Sequence, residues 1–258
     1  MEFAGVRLDV EDRTATITLA RPEKRNALSL EMLQNLIKAL EAVPGETGVI
    51  VLAAEGPVFS AGHDLGEMID RPDDYYSELF ASCTRMMEGI HAAPQPVIAK
   101  VQGPATAAGC QLVASCDLAI ASENAWFATP GVSIGLFCST PLVPVSRAVG
   151  HKRAMQMLLT GEPVPAAQAV EWGLINQAVP AAELEAAVEE LAGKILQYSS
   201  KTIATGKQAY YAQADLPEGA AYEVTEPIMS ADAAGEDAQE GMSAFLEKRQ
   251  PVWSDRRP

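Results

Sequence analysis

A strand that runs straight into a helix of almost nothing but small side chains constrains this chain more than any other feature. The stretch is Gly103-Pro-Ala-Thr-Ala-Ala-Gly-Cys-Gln-Leu-Val-Ala-Ser-Cys-Asp117. It follows the apolar run Pro96 to Val101 and precedes a second one, Leu118 to Ala121. Small residues at a helix start let another group approach the free backbone N–H groups there. Those groups and the positive end of the helix dipole suit an anion, or a carbonyl that becomes one. Tight packing of a βα unit would use the same residues, so this stretch alone leaves both readings open.

A second segment adds weight to the first reading. Gly48-Val-Ile-Val-Leu-Ala-Ala54 has the continuous apolar character of a buried parallel strand. It leads into the small-residue turn Gly56-Pro-Val-Phe-Ser-Ala-Gly-His-Asp64. Two such strand-to-turn junctions could each aim a backbone N–H at one oxygen, the geometry of an oxyanion hole.

Alternation of Val6 to Val10 and Thr14 to Leu19 about the polar turn Glu11 to Arg13 predicts a hairpin. Ser29 is placed to cap a helix carrying Leu30, Leu33, Leu36, Ile37 and Leu40 on one face. A helix is predicted over about 75–91, with Met86, Met87 and Ile90 on or near its apolar side; the adaptable methionines could line an acyl pocket, with core filling the expected job of each. The stretch Phe127 to Pro141 is turn-rich, apolar and assigned to no element. Beyond it the pattern predicts helices over 143–149, 152–159 and 165–172, then over 181–198, 199–213, 218–232 and 235–249, with a loose tail at 255–258. Strands and helices alternate first and helices follow alone, which predicts an α/β core with a helical C-terminal region.

Charge narrows the partners. A net charge of −15 opposes nucleic acid and anionic membranes, and no apolar run is long enough for a membrane span. Met1-Glu-Phe-Ala has no basic flank or apolar core of a signal peptide, so a cytoplasmic location is expected. Cys83, Cys110, Cys116 and Cys138 lack paired spacing and are expected as buried thiols, and His63, His91 and His151 are too scattered for a metal cluster.

Phe59-Ser-Ala-Gly-His-Asp-Leu65 and the 103–117 stretch resemble the two oxyanion-hole motifs of the enoyl-CoA hydratase/isomerase (crotonase) family. Arg21 to Ser29 resembles its early CoA-side loop, Leu159 to Ile175 its Thr-Gly…Gly-Leu-Ile segment, and Glu240 to Arg249 its C-terminal signature. The stretch Gly131 to Pro141 most resembles one animal branch of the family. The resemblance implies an α/β spiral of ββα turns over 1–195. It also implies a helical region over 196–258 that completes the CoA site and a homotrimer or dimer of trimers.

Carried over motif by motif, the resemblance makes the backbone N–H groups of His63 and Ala108 the oxyanion donors. It assigns CoA contacts to Lys24, Arg25, Ala27, Ala61 and Leu65, and to Phe245 and Lys248 from a neighbouring subunit. Coenzyme A thioester is then substrate or ligand, with no permanently bound cofactor. The family's hydratases use two glutamates; this chain has Gln111 at the first position and Gly131 at the second. Gln111 can bond a water but cannot take its proton, and Gly131 has no side chain, so hydratase activity is expected to be weak or absent.

Asp64, Glu67, Asp70 and Glu88 are candidate substitute acids, and Cys110, Cys138 and Ser139 sit near the motifs without a visible base. Asp64 is expected to stabilise its own turn and Asp117 to cap or end the central helix; the His63 imidazole could contact the CoA chain or titrate near neutral pH, but is expected first to face solvent. The sequence leaves open an acyl-CoA binder, an active hydratase or isomerase with a relocated base, and an interaction protein without a ligand.

Overall fold

The structure, a computed structural model, describes residues 1–256. Its larger sheet has seven strands in the order β1-β2-β3-β4-β5-β7-β10. The strands β1 (Glu2–Phe3), β2 (Val6–Glu11) and β3 (Thr14–Leu19) form antiparallel pairs. From β3 onward the ladder is parallel through β4 (Val49–Ala54), β5 (Val97–Val101), β7 (Leu118–Ser122) and β10 (Gln177–Val179). A smaller sheet joins β6 (Ala105–Thr106), β8 (Trp126–Ala128) and β9 (Val164–Pro165).

Burial on both faces explains why β4 reads as an unbroken apolar run. Ile50 and Leu52 point into the main core with helices α1 (Leu30–Glu41), α3 (Asp73–Ala92) and α4 (Ala108–Ser115). Val49 and Val51 point the other way, onto Leu184, Val188 and Ala192 of α8 (Leu184–Leu196). Ser29 caps α1 by accepting the Met32 N–H, as its position predicts. After β5 the chain advances as a spiral. It leaves the large sheet, adds a short strand to the small one, crosses in a helix and returns to the next parallel strand.

The smaller helices α2 (Leu65–Met68), α5 (Leu142–Val149), α6 (His151–Thr160) and α7 (Ala166–Trp172) fill the crossovers. The C-terminal region consists of α9 (Ser200–Gln213), α10 (Glu218–Ala233) and α11 (Glu236–Glu247). A buried ion pair anchors α9: Lys207 Nζ lies 2.7 Å from Asp117 and donates to the Ile90 and Gln95 carbonyls. Asp117 also accepts from the Val97 N–H and the Tyr211 hydroxyl. It therefore ties α9 to the start of β5 and does not cap α4, which ends a residue earlier at Cys116. The last turn, Ser254–Arg256, is a short 3-10 helix, and the final two residues of the expected loose tail lie outside the described residues.

Candidate active site

The two small-residue turns meet. Thr106 N–H donates to the Ser60 carbonyl (2.9 Å), Phe59 N–H to the Pro104 carbonyl (3.0 Å), and Ser60 bridges Ala105 as an isolated parallel pair. Gly62, at φ +86, lies so close to the second turn that an added Cβ would sit 2.9 Å from the Ala107 Cβ and 3.2 Å from the Ala108 nitrogen. Only glycine combines that φ with that approach.

Asn26 holds the first turn in place. It is fully buried; its amide donates to the Glu55 and Val58 carbonyls (2.8 Å each) and accepts the Arg21 N–H (2.9 Å). Its own carbonyl accepts from the Ser60 hydroxyl at 2.8 Å. Arg25 and Asn26 both take the left-handed conformation, which puts Lys24 and Arg25 in solvent and turns Asn26 inward.

The second turn is strained. Ala107, just ahead of α4, has φ 50 and ψ −117. A non-glycine residue there costs on the order of 1–3 kcal/mol, and such outliers persist at functional sites. The conformation orients the peptide between residues 107 and 108, so that the Ala108 N–H becomes the first free donor of the helix. Neither this N–H nor that of His63 has a hydrogen-bond acceptor among the described residues.

Both donors border a cavity of about 350 Å³ whose wall is mostly apolar. Ala61, His63, Leu65, Ala108 and Gly131 come together there, as does Cys138. Gln111 does not. It lines an adjoining groove of about 1040 Å³ that shares Ser139 and Thr140 with the cavity, and its amide oxygen accepts the Cys83 S–H at 3.7 Å. Lys24 ends the 3-10 turn Pro22–Lys24 with Arg25 and Ala27 just beyond it, and Phe245 and Lys248 lie on or just after α11; none of the five borders the cavity. Phe245 is 82% exposed.

Among the described residues no Asp or Glu lines the cavity. Asp64 caps α2 by accepting the Gly66 N–H, Glu67 accepts the Tyr75 hydroxyl, and Glu88 lies in the larger groove. Cys138 touches the cavity, but burial raises its thiol pKa despite a hydrogen bond from the Gly131 N–H. Cys83 and Cys110, both buried, are pushed up to about 12. These are protonated thiols without a base.

The chain itself occupies the space beside Gly131. A Cβ there would lie 2.0 Å from the Leu136 carbonyl oxygen and 2.9 Å from the Cys138 sulfur. The backbone of Gly131 to Cys138 thus fills the volume where a side chain would begin.

His63 corrects the expectation of a solvent-facing ring. Its Nδ1 lies 3.0 Å from the Leu28 carbonyl, which can only accept, so Nδ1 carries the proton. Nε2 is left as a bare, buried acceptor without a partner, and Phe80 packs edge-on at 5.4 Å. Burial lowers the His63 pKa and keeps the ring neutral. The unfolded chain takes up a proton near pH 6.5 that the folded ring resists, so stability should hold above about pH 7.5 and fall as pH drops through 6.5. His91 is shifted in the same direction and contributes a parallel loss. Denaturant midpoints at pH 7.5 and 5.5 should therefore differ less in His63→Gln than in the parent; equal differences would contradict this assignment.

Sequence reading missed Met68, Phe80, Leu136 and Phe137 as cavity wall; core filling, the job it expected of Met86 and Met87, is what the structure shows. Both are in the core, and Met87 also borders the larger groove.

A parallel α/β core with spiral crossovers, and two touching small-residue turns beside one apolar cavity, places the chain in the crotonase fold class. The chain belongs to the enoyl-CoA hydratase/isomerase family, whose profile matches residues 9–256. It is 48% identical to the human "Enoyl-CoA hydratase domain-containing protein 3, mitochondrial" over 94% of this chain and 81% of that protein. It is 34% identical to the Escherichia coli "2,3-dehydroadipyl-CoA hydratase" over 95% and 97%. A crystal structure described as Mycobacterium smegmatis enoyl-CoA hydratase superposes with TM-score 0.94 at 45% identity, covering 96% of this chain and 98% of that one. That of the human domain-containing protein 3 gives 0.94 at 46%, covering 96% and 100%. The latter agrees with the likeness noted for Gly131 to Pro141.

Proposed function

We propose that this protein binds acyl-CoA thioesters of fatty-acid metabolism and polarises their carbonyl between the backbone N–H groups of His63 and Ala108, without the acid pair that ordinary hydration requires. The observation that carries this reading is that two residues with unpartnered backbone N–H groups line one cavity with no carboxylate among its described wall residues. Removing one oxyanion-hole donor in other enzymes costs about 3–4 kcal/mol of transition-state stabilisation. Without a base to activate water and an acid to protonate the α-carbon, each worth roughly 10²–10⁴ in rate, hydration should be slow.

The CoA moiety runs along the turn of Lys24, Arg25 and Ala27 and the backbone of Ala61 and Leu65. Residues 1–195 supply the oxyanion hole, and the helical region 196–258 completes the site across a homotrimer or a dimer of trimers. In that arrangement Phe245 packs on the adenine and Lys248 meets a phosphate of the neighbouring subunit's ligand. The 82% exposure of Phe245 within one chain supports this, since a large aromatic side chain is left without a cover. CoA thioester is a ligand here, not a resident cofactor. All four cysteines are free and buried, which suits a reducing, cytoplasmic setting, although the human relative's name places that protein in mitochondria.

Calorimetric titration with crotonyl-CoA, followed by an assay of its hydration, tests the proposal. Saturable binding with a hydration rate at least about 100-fold below an ordinary enzyme turnover of about 10 per second is expected. Hydration at an ordinary rate would refute the non-hydratase part, and no binding would refute the whole.

A further inference from the structure

We infer that the acyl cavity selects uncharged acyl chains and rejects chains that end in a carboxylate, a specificity that rests on the thioester-binding reading above. Among the described residues, the wall contains no lysine, arginine, aspartate or glutamate. A carboxylate drawn in with an acyl chain would therefore lose its water and find no cation.

The titratable groups that do face the cavity cannot substitute for one. His63 donates its Nδ1 proton to the Leu28 carbonyl and offers Nε2 as a lone pair, so a carboxylate oxygen would meet another acceptor. Cys138 is a weak S–H donor packed against the Gly131 backbone. Hydroxyls do little more. Ser133 donates to the Pro130 carbonyl at 2.7 Å and Ser139 to the Phe137 carbonyl at 3.4 Å, which leaves Thr140 as the uncommitted neutral donor. The amides of His63 and Ala108 are consumed by the thioester oxygen in the proposed complex.

The surroundings add to the effect. Asp64, Glu67 and Asp70 follow His63 directly in the chain, which carries −15 overall. An ionised carboxylate buried without a partner costs several kcal/mol. Converted at tenfold per 1.4 kcal/mol, even a partly hydrated carboxylate should lose about 100-fold in affinity. At about 350 Å³ the cavity lies at the small end of ligand sites, sized for the acyl end of the ligand and not for the whole thioester. The Escherichia coli relative is named for a CoA thioester that does end in a carboxylate, so selectivity on this point would separate two members of one fold.

Three ligands decide the matter when titrated calorimetrically against the full chain at pH 7.5: hexanoyl-CoA, adipyl-CoA, and adipyl-CoA with its distal carboxyl methylated. Hexanoyl-CoA and the methyl ester should bind within about tenfold of each other, and adipyl-CoA about 100-fold or more weaker than either. Adipyl-CoA binding within tenfold of hexanoyl-CoA would overturn the inference. A methyl ester as weak as adipyl-CoA would overturn it too, because length and not charge would then discriminate. If hexanoyl-CoA itself does not bind, the thioester reading fails first, which is a different result from equal binding of all three.

Discussion

Asn26→Ala lowers the folding free energy by about 4 kcal/mol and weakens acyl-CoA binding at least tenfold, although residue 26 is not in the cavity wall. The substitution strips partners from the Glu55 and Val58 carbonyls and the Arg21 N–H, at about 1 kcal/mol or more each. It also forces alanine into the left-handed conformation at φ 51, about 1–2 kcal/mol more. Binding suffers because the turn that aims the His63 N–H is hung on those bonds and on the Asn26 carbonyl held by Ser60. Asn26→Gly separates the contributions, since glycine takes the left-handed conformation freely and loses only the side-chain bonds. Urea denaturation of both variants, with the glycine form about 1 kcal/mol the more stable, checks the account. A loss under 1 kcal/mol in Asn26→Ala would show that the turn does not depend on this side chain.

The second large effect is a failure to restore activity. Returning glutamate to both positions, Gln111→Glu with Gly131→Glu, should give no ordinary hydratase and a protein destabilised by about 3 kcal/mol or more. Overpacking usually costs about 1–3 kcal/mol where side chains can yield. Beside Gly131 the obstacle is the Leu136 carbonyl at 2.0 Å, which is backbone and is itself held by the Leu136 N–H bond to the Gly131 carbonyl. The other glutamate would replace a buried amide that bonds Cys83 and lines the groove adjoining the cavity. Thermal denaturation of Gly131→Ala reports the steric cost alone, and a crotonyl-CoA assay of the double variant reports the chemistry. Turnover rising to about 10 per second would mean that the loop reopens when asked to, and that the missing carboxylates were the sole barrier.

Much of the fold was legible where local pattern and tertiary burial agree. The apolar run of β4 reflects cores on both its faces, and the Ser29 cap and the C-terminal helices lie close to their sequence-predicted bounds. The short strands β6, β9 and β10 were not legible, because two or three residues carry no periodicity and their pairing is decided by distant partners. Phe127 to Pro141 resists reading for a related reason. It resolves into β8 and a 3-10 turn at Pro130–Ile134, whose path is set by backbone contacts within the loop and not by side-chain pattern.

The site divides in the same way. Its two donor turns announce themselves through small residues. The direction of the His63 ring depends on the Leu28 carbonyl, 35 residues back, and the inward turn of Asn26 on three backbone groups beyond its own turn or at its edge. Gln111 shows the limit of carrying a role over by position. It occupies the position of a family glutamate, yet faces Cys83 and the larger groove.

The central claim is that one thioester oxygen sits between two main-chain amides. Infrared difference spectroscopy of bound butyryl-CoA, labelled with ¹³C at the thioester carbonyl, tests it most directly. Two hydrogen bonds from preorganised donors should lower the carbonyl stretching frequency relative to the same ligand free in water, and His63→Gln, which keeps its backbone N–H, should preserve that shift. A bound carbonyl at the frequency of the free ligand would contradict the account.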